Sequence, residues 1–90
     1  MSAKAEISWK RVTEEGTKLQ VYAHHVGNQW IFYARQQRYD QWQRQEFPPL
    51  EDWLELLDAV RRRAARRLLR PEEVGRVEKK IRELFPDAQL

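Results

Sequence analysis

The chain has 90 residues, a formal net charge of +3 and no cysteine. This length fits one small domain, and the lack of cysteine excludes disulfides and thiolate zinc sites. No segment has the apolar length of a transmembrane helix and the N-terminus has no signal-peptide layout, so we expect a cytoplasmic protein without a membrane partner.

Three β-strands are predicted from period-two alternation of apolar residues and from two turn signals between them. The strands lie near residues 6–12, 18–26 and 29–37. The Glu-Glu-Gly sequence at 14–16 fits a three-residue hairpin loop with glycine in the left-handed region. Gly27 and Asn28 fit a two-residue hairpin turn, because both residue types tolerate a positive φ.

The two loop lengths together predict the register of the sheet. With a three-residue first loop, one face collects the apolar side chains of Ile7, Trp9, Leu19, Val21, Ala23, Trp30, Phe32 and Ala34. A four-residue first loop would instead place Trp9 beside Gln20 and Lys10 beside Leu19. The three-residue loop is preferred because only that register segregates the apolar side chains from the polar ones.

The rest of the chain predicts helices. Residues 38–48 fit either a short fourth edge strand or an ordered loop, and a proline pair then opens a helix near 50–69. Its apolar residues recur at intervals of three and four, namely Leu50, Trp53, Leu54, Leu57, Val60, Ala64 and Leu68. Arg70 precedes a proline and should end this helix, and a second helix is predicted near 72–85.

The predicted fold class is α+β. A three-stranded antiparallel meander, with a short fourth edge strand as an option, is followed by two helices packed on one face of the sheet, in the order β-β-β-α-α. We expect a single domain over residues 6–86, with disordered termini at 1–5 and 87–90. No residue pattern in the chain is specific enough to name a family.

Positive charge is concentrated in residues 59–82, which carry a formal charge of +7. On a helix that continues to residue 69, one solvent-facing arc would hold Arg62, Arg63, Arg66, Arg67 and Arg70. Such an arc could neutralise phosphates of DNA or RNA. The structural alternative is that these cations stabilise a helix C-terminus and that Asp58 pairs with Arg62. Arg61 falls within the apolar stripe, where its stem should pack and its head reach solvent, with an internal ion pair as the alternative.

The other face of the predicted sheet is a second candidate surface. Tyr22 and Tyr33 share one cross-strand row, Lys10 and Arg35 share the next, and Trp42 follows in the irregular segment. Tyrosines beside cations could stack unpaired bases or contact a protein. The structural alternatives are a solvated face stabilised by cross-strand pairs and, for Trp42, a lid over one end of the core.

Neither a catalytic nor a cofactor or metal site is predicted. His24 and His25 are adjacent on a strand and point to opposite faces, so they cannot share an ion without a bulge. We therefore predict a non-enzymatic binding domain with one of two classes of partner. One class is a nucleic acid. The other is a protein, including a second copy of this chain that buries the tyrosine face or pairs with the open edges of the first and third strands.

Overall fold

The computed structural model describes residues 6–90, which form two compact units. The sheet unit ends at Pro48 and the helical unit begins at Pro49. The disorder expected at residues 1–5 lies outside the described residues. Three expectations stay predictions, namely the single domain over 6–86, the disorder at 87–90 and the packing of the helices on the sheet. No helix within 6–90 is long and apolar enough to cross a membrane.

The sheet unit is a four-stranded antiparallel sheet in the order β1-β2-β3-β4. The strands are β1 Glu6–Val12, β2 Lys18–Val26, β3 Gln29–Arg35 and β4 Gln43–Gln45. The short fourth edge strand is therefore present, and it pairs with β3 through Phe32 opposite Gln45 and Ala34 opposite Gln43. With the two helices that follow, the α+β class and its element order are confirmed.

The predicted register is confirmed along both hairpins. Trp9 lies opposite Val21, and Ala23 lies opposite Phe32, as the two loop lengths require. The loop glycines adopt φ of 89° at Gly16 and 61° at Gly27, the left-handed region that glycine enters without strain. One face of the sheet consequently carries the buried side chains of Ile7, Val21, Ala23, Phe32 and Ala34.

The helical unit contains α1 Leu50–Ala65 and α2 Pro71–Leu84. Its buried apolar residues are Trp53, Leu56, Leu57, Ala59, Val60, Val77 and Ile81. The predicted stripe is wrong at Leu68, which lies beyond the end of α1 and is 53% exposed. It is also wrong at Leu54, which is 39% exposed, because the buried side of α1 is rotated toward the fully buried Leu56. Spacing by three and four fits either residue, so the sequence pattern could not select between them. Arg61 reaches across to α2, where its Nη2 donates to Glu78 Oε2 at 2.8 Å.

The C-terminus of α1 lies four residues before the predicted end at residue 69. Arg66 caps the helix and Arg67 adopts a φ of 62°. The N–H of Arg67 donates to the carbonyl of Ala64 at 3.0 Å, and the N–H of Leu68 donates to the carbonyl of Arg63 at 2.8 Å. These two bonds and the left-handed residue define a Schellman motif, which satisfies two terminal carbonyls and reverses the chain.

Candidate functional site

The first candidate surface is the arginine segment, which comprises Arg62, Arg63, Arg66, Arg67 and Arg70. Its first two members lie in the last turn of α1, the next two form the helix cap, and the fifth is the N-cap of α2. The predicted arc on one continuous helix is therefore wrong for the last three arginines, because the Schellman motif ends α1 at Ala65. The segment instead spreads these cations over a helix end and a five-residue connection.

Ion pairing distinguishes Arg62 from the three arginines that follow α1. Arg62 forms an ion pair with Asp58 one turn earlier, as the i,i+4 spacing predicts. Arg66, Arg67 and Arg70 are exposed, and none of them forms an ion pair with any residue between 6 and 90. The connection between the helices thus carries three guanidinium groups whose charge no described carboxylate neutralises.

The second candidate surface is the aromatic cluster of Tyr22, Tyr33 and Trp42. It lies on the outer face of the sheet, which is the face opposite the inner face that carries the buried side chains of Ile7, Val21 and Phe32. The rings of Tyr22 and Tyr33 are stacked, with centroids 4.8 Å apart and an interplanar angle of 14°. Trp42 meets Tyr22 edge-on, with centroids 4.6 Å apart and an angle of 84°. Trp42 therefore lies against the outer face, and the alternative in which it covers one end of the core is wrong.

Arg35 is held firmly beside this cluster. Its Cζ lies 4.1 Å from the Trp42 ring centroid, a cation–π distance, and its Nε donates to Gln20 Oε1 at 2.7 Å. Its Nη1 donates to the carbonyl of Asp40 at 3.4 Å. Lys10 stands in the same cross-strand row, opposite Gln20, and is exposed. The structure thus brings four of the five predicted sheet-face residues into contact and leaves Lys10 at the edge.

Asp40 was missed by the sequence reasoning. Its Oδ2 accepts a hydrogen bond from the backbone N–H of Gln37 at 3.0 Å, and its carbonyl accepts the bond from Arg35. Aspartate often forms turns by hydrogen-bonding nearby backbone. The position of Asp40 in the irregular segment could therefore have indicated a turn. Asp40 shapes the turn that brings Trp42 onto Tyr22.

Contacts within the aromatic cluster and with Arg35 occupy part of its ring surface. One face of Tyr22 is covered by Tyr33, and one face of the Trp42 ring lies against the guanidinium of Arg35. A base-stacking surface needs ring faces that a base can reach. Burial raises the pKa of Tyr22, and the nearby Tyr33 and Glu6 raise it further. The contacts within the cluster therefore reduce the ring area that a base could reach.

The two sheet edges differ. β3 was expected to be an open edge, but β4 pairs with it from Phe32 to Ala34, so that expectation is wrong over these residues. The short β4 shields β3 in the manner of protective edge strands. At the other end of the sheet, β1 pairs only with β2 among the described residues. Of the two edge strands formed by residues 6–90, β1 is the longer, with seven residues against three in β4.

The two histidines lie apart, as predicted from their adjacent positions on β2. His24 Nδ1 lies 3.6 Å from Glu6 Oε2 on the outer face, whereas the His25 ring stacks on Trp30 with centroids 4.6 Å apart. No group of three or more metal-ligating side chains occurs in the part of the chain that the structure describes.

No family model, curated protein or solved structure matches this chain. Its function must therefore be inferred from the arginine segment, the aromatic cluster and the β1 edge.

Proposed function

We propose that this chain is a small non-enzymatic binding domain that binds nucleic acid electrostatically through the arginine segment. One observation carries the proposal: Arg66, Arg67 and Arg70 are exposed and have no carboxylate partner among the described residues. A guanidinium that is already paired must exchange its carboxylate for a phosphate, whereas an unpaired one gains a charge-assisted contact outright. The connection between α1 and α2 is therefore the surface best suited to a polyphosphate backbone.

The backbone of Arg67 supports the same proposal. A left-handed residue after a helix is usually glycine, since a side chain with a Cβ costs roughly 1–2 kcal/mol there. Arg67 holds this position at a φ of 62°. Unfavourable backbone geometry in a residue with a charged, exposed side chain is a reason to look for a function of that side chain.

Phosphate contacts of this kind release counterions, so the affinity should fall steeply as salt rises. Contacts to phosphate position a protein on nucleic acid but do not read its sequence. We therefore expect weak binding with little preference among sequences, in the range of roughly 1–100 μM that is typical of non-specific binding at physiological salt.

Fluorescence anisotropy with a labelled DNA duplex and a labelled single-stranded RNA tests this proposal. The test variant replaces Arg66, Arg67 and Arg70 by glutamine, and the control replaces three exposed cations of α2, Lys79, Lys80 and Arg82, by glutamine. Both variants lose the same charge. The test variant should bind more weakly than the control and should reduce the slope of log K against log salt by about 3 on the duplex.

Two results would contradict the proposal. One is the absence of binding by the unaltered chain at about 100 μM in low salt. The other is an equal loss of affinity in both triple variants, because the binding would then follow net charge and not the arginine segment. Far-UV circular dichroism of both variants confirms that they are folded before binding is compared.

The second candidate function is a protein-interaction module, and the specific observation that favours it is the open edge of β1. The tyrosine face gives this candidate less support, because Tyr22 already stacks on Tyr33 and meets Trp42 edge-on.

A further inference from the structure

The long edge of the sheet lacks three of the devices by which edge strands avoid pairing with another chain, although it carries the charged side chains of Glu6, Lys10 and Arg11. β1 contains seven residues and pairs with β2 in unbroken register from Glu6 to Val12, without a bulge. It also contains no proline, and bulges, prolines and short length are common devices that keep a strand edge from pairing. We propose that β1 pairs antiparallel with β1 of a second copy of this chain, with Ser8 on the two-fold axis.

The faces of the two sheets restrict the possible registers. In a continuous sheet, residues that lie opposite each other point to the same face. A two-fold axis through Ser8 satisfies this rule and places Glu6 of each copy opposite Lys10 of the other. The same axis places Ile7 opposite Trp9. The dimer therefore contains two charge-complementary pairs on the outer face and two apolar pairs on the inner face.

Neighbouring registers lose this complementarity. An axis through Trp9 would place Arg11 opposite the buried Ile7 and Lys10 opposite Ser8. An axis through Lys10 would place the two lysines directly against each other, and like charges at opposite positions destabilise a strand pair. An axis through Ile7 would place Glu6 opposite Ser8 and would form no Glu6–Lys10 pair. Of these four registers, only the axis at Ser8 pairs opposite charges on one face and apolar side chains on the other.

The outer-face side chains near this axis are compatible with close approach. Ser8 is small and exposed, and it lies next to Tyr22 in the cross-strand row. Glu6 and Lys10 are exposed, so their charges are available to a second chain without burial of an unpaired group. Cross-strand pairs of opposite charge stabilise a sheet, and the backbone hydrogen bonds along β1 would supply most of the remaining affinity.

Because the chain has no cysteine, one introduced cysteine reports on the axis directly. In this register the two Ser8 Cα atoms lie roughly 4.5–5.5 Å apart, within the range that a disulfide spans. The Ser8→Cys variant should form a disulfide dimer in oxidised glutathione. Val12→Cys is the matched control on the same face of β1, and its two copies would lie roughly 26 Å apart along the strands.

A charge exchange tests the register independently of any cysteine. Glu6→Lys and Lys10→Glu each replace two attractive pairs by two repulsive ones, so each should weaken the dimer roughly ten-fold or more by sedimentation equilibrium. The double variant restores opposite charges and should recover most of the affinity. His24 also lies near Glu6, but its contact is lost in the double variant as well, so it cannot explain a recovery.

Three outcomes would overturn the proposal. The first is a strictly monomeric chain at high micromolar concentration. The second is disulfide formation by Val12→Cys as fast as by Ser8→Cys. The third is a double charge variant that associates no better than the single ones. If Ser8→Cys does not fold, as judged by circular dichroism, the charge exchange alone decides the register.

Discussion

Replacement of Arg67 by glycine should stabilise the helical unit. Arg67 occupies the left-handed position that follows the helix cap, with a φ of 62°. A residue with a Cβ pays roughly 1–2 kcal/mol for this conformation, whereas glycine does not. Arg67 forms no ion pair with the described residues, so its removal should cost no such contact.

The expected rise in the free energy of unfolding is smaller than the full cost of placing a residue with a Cβ in the left-handed region. Glycine also has more conformational freedom in the unfolded chain, and this entropy lowers the free energy of unfolding by about 0.5–1 kcal/mol. The net free energy of unfolding should therefore rise by about 0.5–1 kcal/mol, and Tm by roughly 2–8 °C for a chain of this size. This rise measures the stability that the chain loses by having arginine and not glycine at residue 67.

Urea denaturation followed by circular dichroism at 222 nm measures this change, since the signal is dominated by the helices. Arg66→Gly is the matched control, because it removes the same charge one residue earlier at a φ of −92°, where glycine has no advantage. The Arg66→Gly control should lower the free energy of unfolding by about 0.5–1 kcal/mol. Equal destabilisation by both variants would show that Arg67 pays no penalty for its left-handed conformation.

Two further predictions concern the sheet unit. Trp42→Ala should lower the free energy of unfolding by about 1–3 kcal/mol, since it removes the ring contact to Tyr22 and the cation–π contact to Arg35. Trp42→Phe should lower the free energy of unfolding by less, because it keeps an aromatic ring. Equal losses for the two variants in urea denaturation would show that the aromatic contacts contribute nothing. The pKa of Tyr22 is raised above its ordinary value of 10.0 by burial, Tyr33 and Glu6, so the unfolded chain ionises first and stability should fall as pH rises through the folded pKa. Thermal melts from about pH 9 to 11 should therefore show a steeper decline for the native chain than for Tyr22→Phe, and parallel declines would contradict this.

The strand register was predictable because two short loops and a period-two pattern constrain each other. A loop with glycine at 16 and a turn at Gly27 allow few pairings, and only one of them placed Trp9, Val21 and Phe32 on one face. A shift by one residue would have moved every apolar side chain to the other face, so the pattern is a strong test of register.

The irregular segment between β3 and α1 was less predictable. Its pattern was compatible with both a strand and a loop, and the three residues of β4 form because the edge of β3 is available to pair with them. The place of Trp42 depends on the turn at Asp40 and on contacts with Tyr22 and Arg35, which come from other strands. No local pattern encodes such contacts, and the predicted sheet-face residues came together through the register.

The sequence by itself determined the class, the element order and the pairing of the first three strands, because these follow from local periodicity and loop length. Only the tertiary structure decided where α1 ends, since an arginine at residue 67 gives no local signal for the left-handed cap. That end separates Arg66, Arg67 and Arg70 from the helix on which they were predicted. Helical propensity is local, whereas a helix terminus depends on whether its last carbonyls find partners in a reversed chain.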